Sequence, residues 1–159
     1  MARASALPAR PGRQRRLHEV SAMKLSLAAE LALRGSLVLA QKYGEGLMTL
    51  DGVCADRKLP KQYLTKIFAS LARADLVTAI RGKRGGYRLN RPPGQITVLE
   101  VVEAVEGPIV LNFCQHKPPL CDQHACRIRP VWAELQEVIR SRLGSLTLAQ
   151  CLRDEGTSE

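Results

Sequence analysis

The sequence predicts a mainly α-helical protein that carries one small β-hairpin. Apolar residues recur at helical spacing in several segments, a β-branched run stands directly before a glycine-rich basic stretch, and aromatic residues make up only 4% of the chain. With 159 residues, 45% of them apolar, the chain suits one folded domain with a modest attachment and is too apolar to be wholly disordered. No apolar run approaches the roughly 20 residues of a membrane span, so we expect no membrane-spanning segment.

Three helices are predicted in the first half of the chain. Residues 25–43 place leucines and valines at helical spacing among alanines. Residues 49–57 form a short second helix, for which Thr49 is a suitable N-cap. Pro60 suits the first position of a third helix that runs to about residue 74.

A hairpin is predicted directly after the third helix. The β-branched run at residues 76–80 and the strand at residues 87–89 enclose the basic, glycine-rich turn at residues 81–86. Helix, short helix, break, helix and basic hairpin is the order of a winged helix-turn-helix, whose third helix enters the DNA major groove.

The charge pattern supports a nucleic-acid-binding interpretation. The formal net charge is +9, and residues 57–91 alone hold ten basic residues against the single acid Asp75. Such a one-sided stretch is typical of a face that binds a phosphate backbone. Residues 1–22 add five arginines without helical or strand periodicity, and are predicted to be a disordered basic extension or the product of a mis-assigned start.

The candidate DNA-binding residues lie at the start of the third helix and in the hairpin. Lys61 and Gln62 are the best candidates for contacts to base edges, whereas Tyr63 and Lys66 are placed nearer the phosphates or the core. For the hairpin glycines, ordinary turn geometry is an equal alternative. The full predicted set is Pro60, Lys61, Gln62, Tyr63, Thr65, Lys66, Arg81, Lys83, Arg84, Gly85, Gly86 and Tyr87.

The second half predicts two further helices around a cysteine segment. Residues 96–107 read as a helix that ends near Gly107, and a long helix opens near Pro130 and runs to about Arg142. The apolar stripe on the long helix includes Trp132 and Leu135 and must be buried. Packing on the first helix and a homodimer interface are the two interpretations, and both can hold together.

The segment between these helices contains Cys114, Cys121 and Cys126. The odd total of five cysteines and the absence of an apolar export signal favour a reducing cytoplasm over a disulfide framework. Spacing alone leaves three chemistries open, namely an iron–sulfur cluster, zinc held with a flanking histidine (His116 or His124), and plain reactive thiols. No catalytic base or nucleophile accompanies the cysteines, so we predict that the chain is not an enzyme.

From residue 23 to about residue 153 the chain resembles the IscR/NsrR family of bacterial winged-helix transcription regulators. The resemblance rests on motifs in each predicted element: Met23-Lys24-Leu25-Ser26, Tyr63-Leu64-x-x-Ile67-Phe68-x-x-Leu71, Arg81-Gly82-x-x-Gly85-Gly86-Tyr87-x-Leu89, Glu106-Gly107-Pro108, the three cysteines, Trp132 and Leu146-Thr147-Leu148-Ala149. It implies a homodimeric cytoplasmic repressor or activator that binds a double-stranded DNA operator, and we predict a repressor.

The resemblance also implies that Cys114, Cys121 and Cys126 bind a [2Fe-2S] or [4Fe-4S] cluster that senses iron, redox state or nitric oxide. Arg129 stands where IscR-like members have a histidine ligand, whereas Glu30 matches the acidic ligand that NsrR-like members take from the partner subunit. Thr65 stands at a position that is often Glu in relatives, so the operator sequence is not carried over. The alternative function is the same DNA-binding regulator with thiol- or zinc-based sensing.

The predicted organisation follows from these assignments. Residues 23–93 form the winged helix-turn-helix domain, and residues 94–153 form the cysteine loop and dimerisation helix. Residues 154–159 form a disordered tail.

Overall fold

The computed structural model describes residues 25–82, 84–122 and 126–155. These residues form the helices α1 (Leu27–Gln41), α2 (Leu50–Arg57), α3 (Lys61–Arg73), α4 (Val98–Glu106), α5 (Arg129–Ser145) and α6 (Leu148–Glu155). The strands β1 (Val77–Ile80) and β2 (Gly86–Leu89) form an antiparallel hairpin after α3. Short 3-10 turns lie at Pro93–Gln95 and Phe113–Gln115. The predicted fold class, mainly α with a hairpin wing, is confirmed. The predicted extension at residues 1–22 lies outside the described residues.

Polar side chains begin the first two helices. The Ser26 hydroxyl accepts a hydrogen bond from the Ala29 amide, and the predicted cap Thr49 accepts from the Gly52 amide at 3.1 Å. Pro60 occupies the cap position of α3 with an extended ψ of 111°, one residue earlier than predicted. The reason is local: Lys61 is the first residue with helical geometry, and an N-cap is extended by definition.

Two non-glycine residues in the left-handed region make the tight turns of this half. Lys58 (φ 52°) ends α2, and the amide of the buried Leu59 donates back to the Cys54 carbonyl. Asp75 (φ 56°) follows α3, and the Leu76 amide donates to the Leu71 carbonyl, which is a Schellman closure. These turns place α3 across α2 and lead it directly into the wing.

The core surrounds α1. The predicted stripe of α3 is confirmed, because Leu64, Ile67, Phe68 and Leu71 are all buried. Gly35 lets α1 and α3 approach closely, since a Cβ at this position would lie 2.9 Å from Cε1 of Phe68. Close helix contact at a small residue thus fixes how α3 sits on the scaffold.

The wing is held by the pairing of its two strands and also by a single-residue bridge from Met48, before α2. In the hairpin Val77 pairs with Leu89 and Ile80 with Gly86. Met48 then pairs with Tyr87 through two backbone hydrogen bonds of 2.9 and 2.8 Å. A side chain at residue 86 would meet the Met48 carbonyl at 2.6 Å, so only glycine fits there.

The second half shares its core with the first. Ile96, Val101 and Leu148 belong to the same buried cluster as the stripe of α3, so the predicted boundary at residues 93 and 94 separates sequence segments and not packed units. Thr97 and Glu100 form a capping box at the start of α4. Thr147 and Gln150 cap the start of α6 in the same reciprocal way, and the helix runs to Glu155, so it includes residues 154 and 155 of the predicted tail.

α5 packs chiefly on α4 and the segment after it, not on α1 as one prediction had it. The Arg140 guanidinium pairs with the Glu103 carboxylate, and the Gln136 side chain accepts from the Leu111 amide at 3.2 Å. Only the end of α5 reaches a buried cluster, where Leu143 packs beside Ala29 of α1 and Val102 of α4. No residue of α5 is fully buried. Within the described residues, no helix is both long and apolar enough to cross a membrane.

Candidate functional site

The face of α3 opposite its apolar stripe carries the predicted DNA-binding residues. All of them are exposed, and they begin at the N-terminal end of the helix: Pro60, Lys61, Gln62, Tyr63, Thr65 and Lys66. Tyr63 keeps 49% of its surface exposed, which makes its side chain available and not an anchor in the core. One helix therefore buries a scaffold face and presents a polar, positively charged one.

Lys61 is engaged by an acid of the neighbouring helix. Its ammonium lies 2.6 Å from the Asp51 carboxylate at the start of α2. The hydrogen bond to Asp51, and then the charge of that carboxylate, raise the pKa of Lys61, so the ammonium stays protonated. Both side chains are exposed, so the pair is easily exchanged for a phosphate.

The wing offers Arg81 and Arg84, which are both exposed. Lys83 lies outside the described residues. The predicted residues Gly85 and Gly86 are both required by close backbone contacts, since a Cβ would lie 2.1 Å from the Ile80 carbonyl oxygen at residue 85 and 2.6 Å from the Met48 carbonyl oxygen at residue 86. The Tyr87 ring packs against Phe68 with centroids 4.7 Å apart, so it links the wing to α3.

Side chains that the sequence did not single out fix the base of the wing. The side-chain amide of Asn90 donates through Nδ2 to the Asp75 carboxylate at 2.6 Å. The Thr78 hydroxyl donates to Oδ1 of the same Asn90 side chain. Asp75, two residues after the end of α3, and Asn90, directly after β2, are residue types that favour turns, and this was the signal for their role in the sequence. The network holds the wing at a set angle to α3.

Arg91 and Glu100 tie the end of the wing to α4. The guanidinium donates to the Glu100 carboxylate at 2.8 Å, and the Thr97 amide donates to its other oxygen at 2.8 Å. Burial acts to raise the pKa of Glu100, but the hydrogen bonds from Thr97 and Arg91 outweigh it and leave the pKa below its ordinary value. The carboxylate is thus a fixed anion between the two halves.

The cysteine loop follows α4 and returns to α5. The 3-10 turn at Phe113–Gln115 holds Cys114, and the Leu120 amide donates to the Phe113 carbonyl at 3.0 Å, which brings the residue before Cys121 beside the residue before Cys114. Cys126 stands just before α5, where its carbonyl accepts from the Arg129 amide at 3.2 Å. The three predicted cysteines are each half-buried and form no disulfide.

One amide links this loop to the long helix. The Gln115 Nε2 donates to the Cys114 Sγ at 3.4 Å and to the backbone carbonyl of Arg129 at 3.3 Å. Arg129 is the first residue of α5. Gln115 was not among the predicted site residues, although a side-chain amide next to a ligand-type cysteine was a signal in the sequence.

The donor set of the loop fits an iron–sulfur cluster in its chemistry. This loop supplies three half-buried thiols and also a buried imidazole nitrogen, Nε2 of His116, that has no hydrogen-bond partner. Thiolates with a hydrogen-bond donor to sulfur are the usual environment of such clusters. In the described part of the chain, however, no three or more His, Cys, Asp or Glu side chains already form a group able to hold a metal ion. Metal binding would therefore be coupled to closure of the loop. His124 lies outside the described residues.

Glu30 and Cys54 lie away from the loop cysteines in sequence and in different surroundings. The Glu30 carboxylate is 53% exposed on α1 and accepts a hydrogen bond from Arg34 at 2.5 Å. Burial, and after it the Asp51 carboxylate, raise the pKa of the Cys54 thiol, so this cysteine is a poor nucleophile. The Cys54 side chain is partly buried and packs against the core.

A helix-turn-helix with a pinned wing and an exposed basic face defines a winged-helix DNA-binding protein. Comparison with known proteins specifies the class. Residues 25–154 match the model of the Rrf2 family, described as iron-dependent transcriptional regulators, and the chain belongs to this family. The prediction that it is a DNA-binding transcription regulator and not an enzyme is confirmed.

Its relatives include two kinds of regulator. The chain is 31% identical to the regulator IscR of Xenorhabdus nematophila, over 84% of this chain and 81% of that protein. It is 32% identical to the regulator CymR of Bacillus subtilis, over 79% of this chain and 87% of that protein. Among solved structures, CymR of B. subtilis, the global cysteine regulator, superposes with a TM-score of 0.68. It is 29% identical in sequence, and the match covers 81% of this chain and 95% of that one. IscR of T. potens superposes with a TM-score of 0.67 at 29% identity, covering 86% and 93%.

Proposed function

We propose that the protein is a homodimeric operator-binding repressor of the bacterial cytoplasm whose DNA affinity is controlled by an iron–sulfur cluster held by Cys114, Cys121 and Cys126. The observation that carries the proposal is the Gln115 amide, which joins a ligand sulfur to the first residue of α5. A change in the charge or position of that sulfur reaches the long helix through one side chain. The family model, described as iron-dependent transcriptional regulators, and the match to an IscR regulator support an iron-based signal.

The operator contacts are proposed for α3 and the wing. The exposed Gln62 and Lys66 lie one helical turn apart on α3, and Arg81 and Arg84 flank the tip of the hairpin. Side chains at the N-terminal end of a recognition helix read base edges, whereas arginines on a wing contact phosphates or the minor groove. Lys61 and Gln62 are therefore proposed to read base edges, and Lys66, Arg81 and Arg84 to position the protein on the DNA backbone.

A second copy of the chain is the proposed occupant of the apolar side of α5. Val131, Leu135 and Val138 remain 44%, 44% and 59% exposed along one helix. Large apolar side chains in a row along one exposed helix face mark an association surface. Helix-turn-helix regulators bind two-fold operators, with half-sites about 34–36 Å apart, so an isologous α5 contact would set the spacing of the two α3 helices.

The residues of the loop divide the sensing task. Cys114, Cys121 and Cys126 supply thiolates, and Glu30 of the partner subunit is the fourth ligand that the family resemblance offers. When bound, the cluster supplies an iron centre that reacts with oxidants or nitric oxide and is lost when iron is scarce. Gln115 holds Cys114 against the start of α5, and Arg140 with Glu103 holds α5 against α4. Loss of the loop geometry would then rotate α5 and its partner, and change the distance between the two α3 helices.

The decisive experiment compares cluster-loaded and cluster-free protein on one operator. The operator is obtained by selection from a randomised duplex pool with the full-length chain. Anaerobically purified or reconstituted protein is then titrated against it at fixed salt. We expect a visible thiolate-to-iron absorption and at least a tenfold difference in operator affinity between the two forms.

Two variants sharpen the test. Cys121→Ser is expected to remove the visible absorption, and Gln115→Ala is expected to keep it while reducing the affinity difference between the two forms. Glu134→Gln, at an exposed position of α5, serves as a control that leaves both the loop and the predicted DNA-binding residues unchanged. Equal operator affinities for the loaded and cluster-free wild type would contradict control by the cluster. A chain that stays colourless after reconstitution would pass the sensing role to zinc or thiols.

A further inference from the structure

A cavity lies between the end of α1 and the base of the wing. Its volume is about 560 Å³, which falls within the roughly 300–1,000 Å³ of small-molecule sites. The residues that line it come from two stretches of the chain, 39–48 and 75–90, whereas the loop cysteines all follow α4. The polar part of the lining includes Lys42, Tyr43, Asp75, Thr78, Arg88 and Asn90.

The wing side of this cavity carries two opposite charges. Thr78 and Arg88 are cross-strand partners, so their side chains leave the hairpin on the same face. The Thr78 hydroxyl donates to Oδ1 of Asn90, and Nδ2 of Asn90 donates to Oδ1 of Asp75 at 2.6 Å. A row of polar groups therefore runs along the base of the wing, from the Arg88 guanidinium to the Asp75 carboxylate.

The two charges do not neutralise each other. Among the ion pairs of the described residues, none joins Arg88 to Asp75, although both line the same cavity. Asp75 uses Oδ1 to accept from Asn90, which leaves its Oδ2 for a ligand. The Arg88 side chain is exposed and available as well. A cation and an anion held apart in one cavity are complementary to a ligand that bears both charges.

The side formed by α1 adds contact area more than charge. Lys42 follows α1, and its ammonium lies 3.2 Å from the Glu45 carboxylate, which offsets its charge. Tyr43 is 45% exposed and offers an aromatic ring with a hydroxyl group. Leu39 and Leu89, which are buried, also line the cavity. The site therefore suits a ligand with two opposite charges and a modest apolar part.

We propose that this cavity is an effector site that binds a small zwitterion, the charge state of free amino acids and short peptides, with the carboxylate on Arg88 and the ammonium on Asp75. Hydrogen bonds between ionised groups are the stronger kind, and a guanidinium can hold a carboxylate through two of them. Arg88 lies on β2 and Asp75 follows α3, so a bound zwitterion would fix the wing relative to α3 and raise operator affinity. The inference does not depend on the cysteine loop or on a cluster.

The DNA backbone is the competing partner of Arg88, because arginines on a wing can contact phosphates. A phosphate bound in this cavity would meet the Asp75 carboxylate, which repels it. The turn at residues 81–86 holds no acidic residue, so Arg81 and Arg84 suit a phosphate better. The cavity thus favours a ligand that satisfies both of its charges.

The first test measures binding to the unaltered full-length protein. The common amino acids and a set of dipeptides are screened by thermal denaturation, and the best ligand of each kind is measured by isothermal titration calorimetry, which shows which kind binds more tightly. That ligand is then compared with its N-acetylated and C-amidated forms, which keep one charge each. We expect either change to weaken binding at least about tenfold, because each removes one hydrogen bond between charged groups.

Variants assign the two charges to their residues. Arg88→Gln and Asp75→Asn are each expected to weaken zwitterion binding at least about tenfold, and Asn tolerates the left-handed φ of 56° at residue 75. C-amidation should cost little further affinity in Arg88→Gln, and N-acetylation little in Asp75→Asn, which a merely structural role would not produce. Arg142→Gln, at an exposed position of α5, is the charge-matched control and should bind as the wild type does.

Operator affinity at fixed salt tests the effector role. We expect saturation with the zwitterion to raise it at least about threefold in the wild type and to leave it unchanged in Arg88→Gln. Four results would overturn the inference: no binding by any amino acid or dipeptide, equal binding of the singly charged forms, wild-type binding in both variants, or an operator affinity that ignores the ligand. Weaker operator binding by Arg88→Gln, with no zwitterion bound by the wild type, would assign Arg88 to the DNA backbone. None of these results bears on cluster sensing, which the comparison of loaded and cluster-free protein tests.

Discussion

The two halves of this chain differ in how completely a single copy buries their apolar side chains and pairs their buried polar atoms. In the winged half, α3 buries its whole apolar stripe, and Leu64, Phe68 and Leu71 have no exposed surface. In the other half, α5 is the longest described helix and buries none of its residues fully. Among the described residues, the two buried side-chain nitrogens without a hydrogen-bond partner belong to His116 of the cysteine loop and Arg129 at the start of α5. The winged half is therefore packed within one chain, whereas the other half leaves apolar side chains exposed and buried nitrogens unpaired.

Phe68→Ala should produce the largest effect on stability, because it removes a fully buried side chain from the winged half. The ring is fully buried and packs against Tyr87, so its removal leaves a cavity between α3 and the wing. We expect a loss of about 3–5 kcal/mol in the free energy of unfolding, measured by urea denaturation. Leu135→Ala, on the exposed stripe of α5, is the matched control. If both variants lost the same stability in monomeric protein, the contrast between the halves would be wrong.

Val138→Glu should act on association instead of folding. Val138 is 59% exposed in one chain, so a carboxylate there is harmless until a second copy covers it. We expect dimer dissociation to become easier by about 2–3 kcal/mol, roughly 30- to 150-fold in the dissociation constant. Sedimentation velocity across a concentration series measures this, with Glu134→Gln as a control on the same helix. An unchanged dimer constant would place the interface elsewhere.

Glu100→Gln should show a smaller and pH-dependent effect at the junction of the halves. The fold lowers the pKa of Glu100, so its ionised form contributes stability above the ordinary carboxyl pKa, and this contribution is lost as pH falls through the lowered value. We expect the variant to be less stable by about 1 kcal/mol at neutral pH and to differ less from the wild type at strongly acid pH. Thermal melts over a pH series test this; a constant difference at every pH would contradict it.

Asp51→Asn should have the smallest effect, and in the opposite direction. The change frees Lys61 from its ion pair and removes a negative charge beside α3. We expect operator affinity to rise about two- to threefold at low salt and the gain to fade as salt is raised, because exposed charges are screened. Asp56→Asn, on the same short helix, is the control. A gain that persists at high salt would indicate a change of structure instead of charge.

Local sequence signals predicted the elements of both halves well. Thr49 as a cap, the buried stripe of α3, the hairpin around the basic turn and the helix ending near Gly107 all agree with the structure. Each depends on neighbours in sequence, through helical periodicity, capping or turn chemistry. The short helix α6, which runs to Glu155, was not predicted, although the Thr147–Gln150 pair that caps its start was a local signal.

Contacts between distant residues were not predictable in the same way. Three such contacts are the Asp75–Asn90 hydrogen bond, the Arg91–Glu100 ion pair and the packing of α5 on α4. They join segments that share no periodic pattern. Gln115 could be seen beside a cysteine, but its second hydrogen bond, to Arg129, exists only once the loop has folded back.

The sequence by itself determined the helices, the wing, the concentration of positive charge and the supply of three thiols, because these depend on composition and short-range spacing. The tertiary structure decided which of these features meet. It put Lys61 beside Asp51, left one side of α5 uncovered, and buried the His116 nitrogen without a partner. Burial and pairing are properties of the packed chain, since each depends on the surface that another segment removes from water.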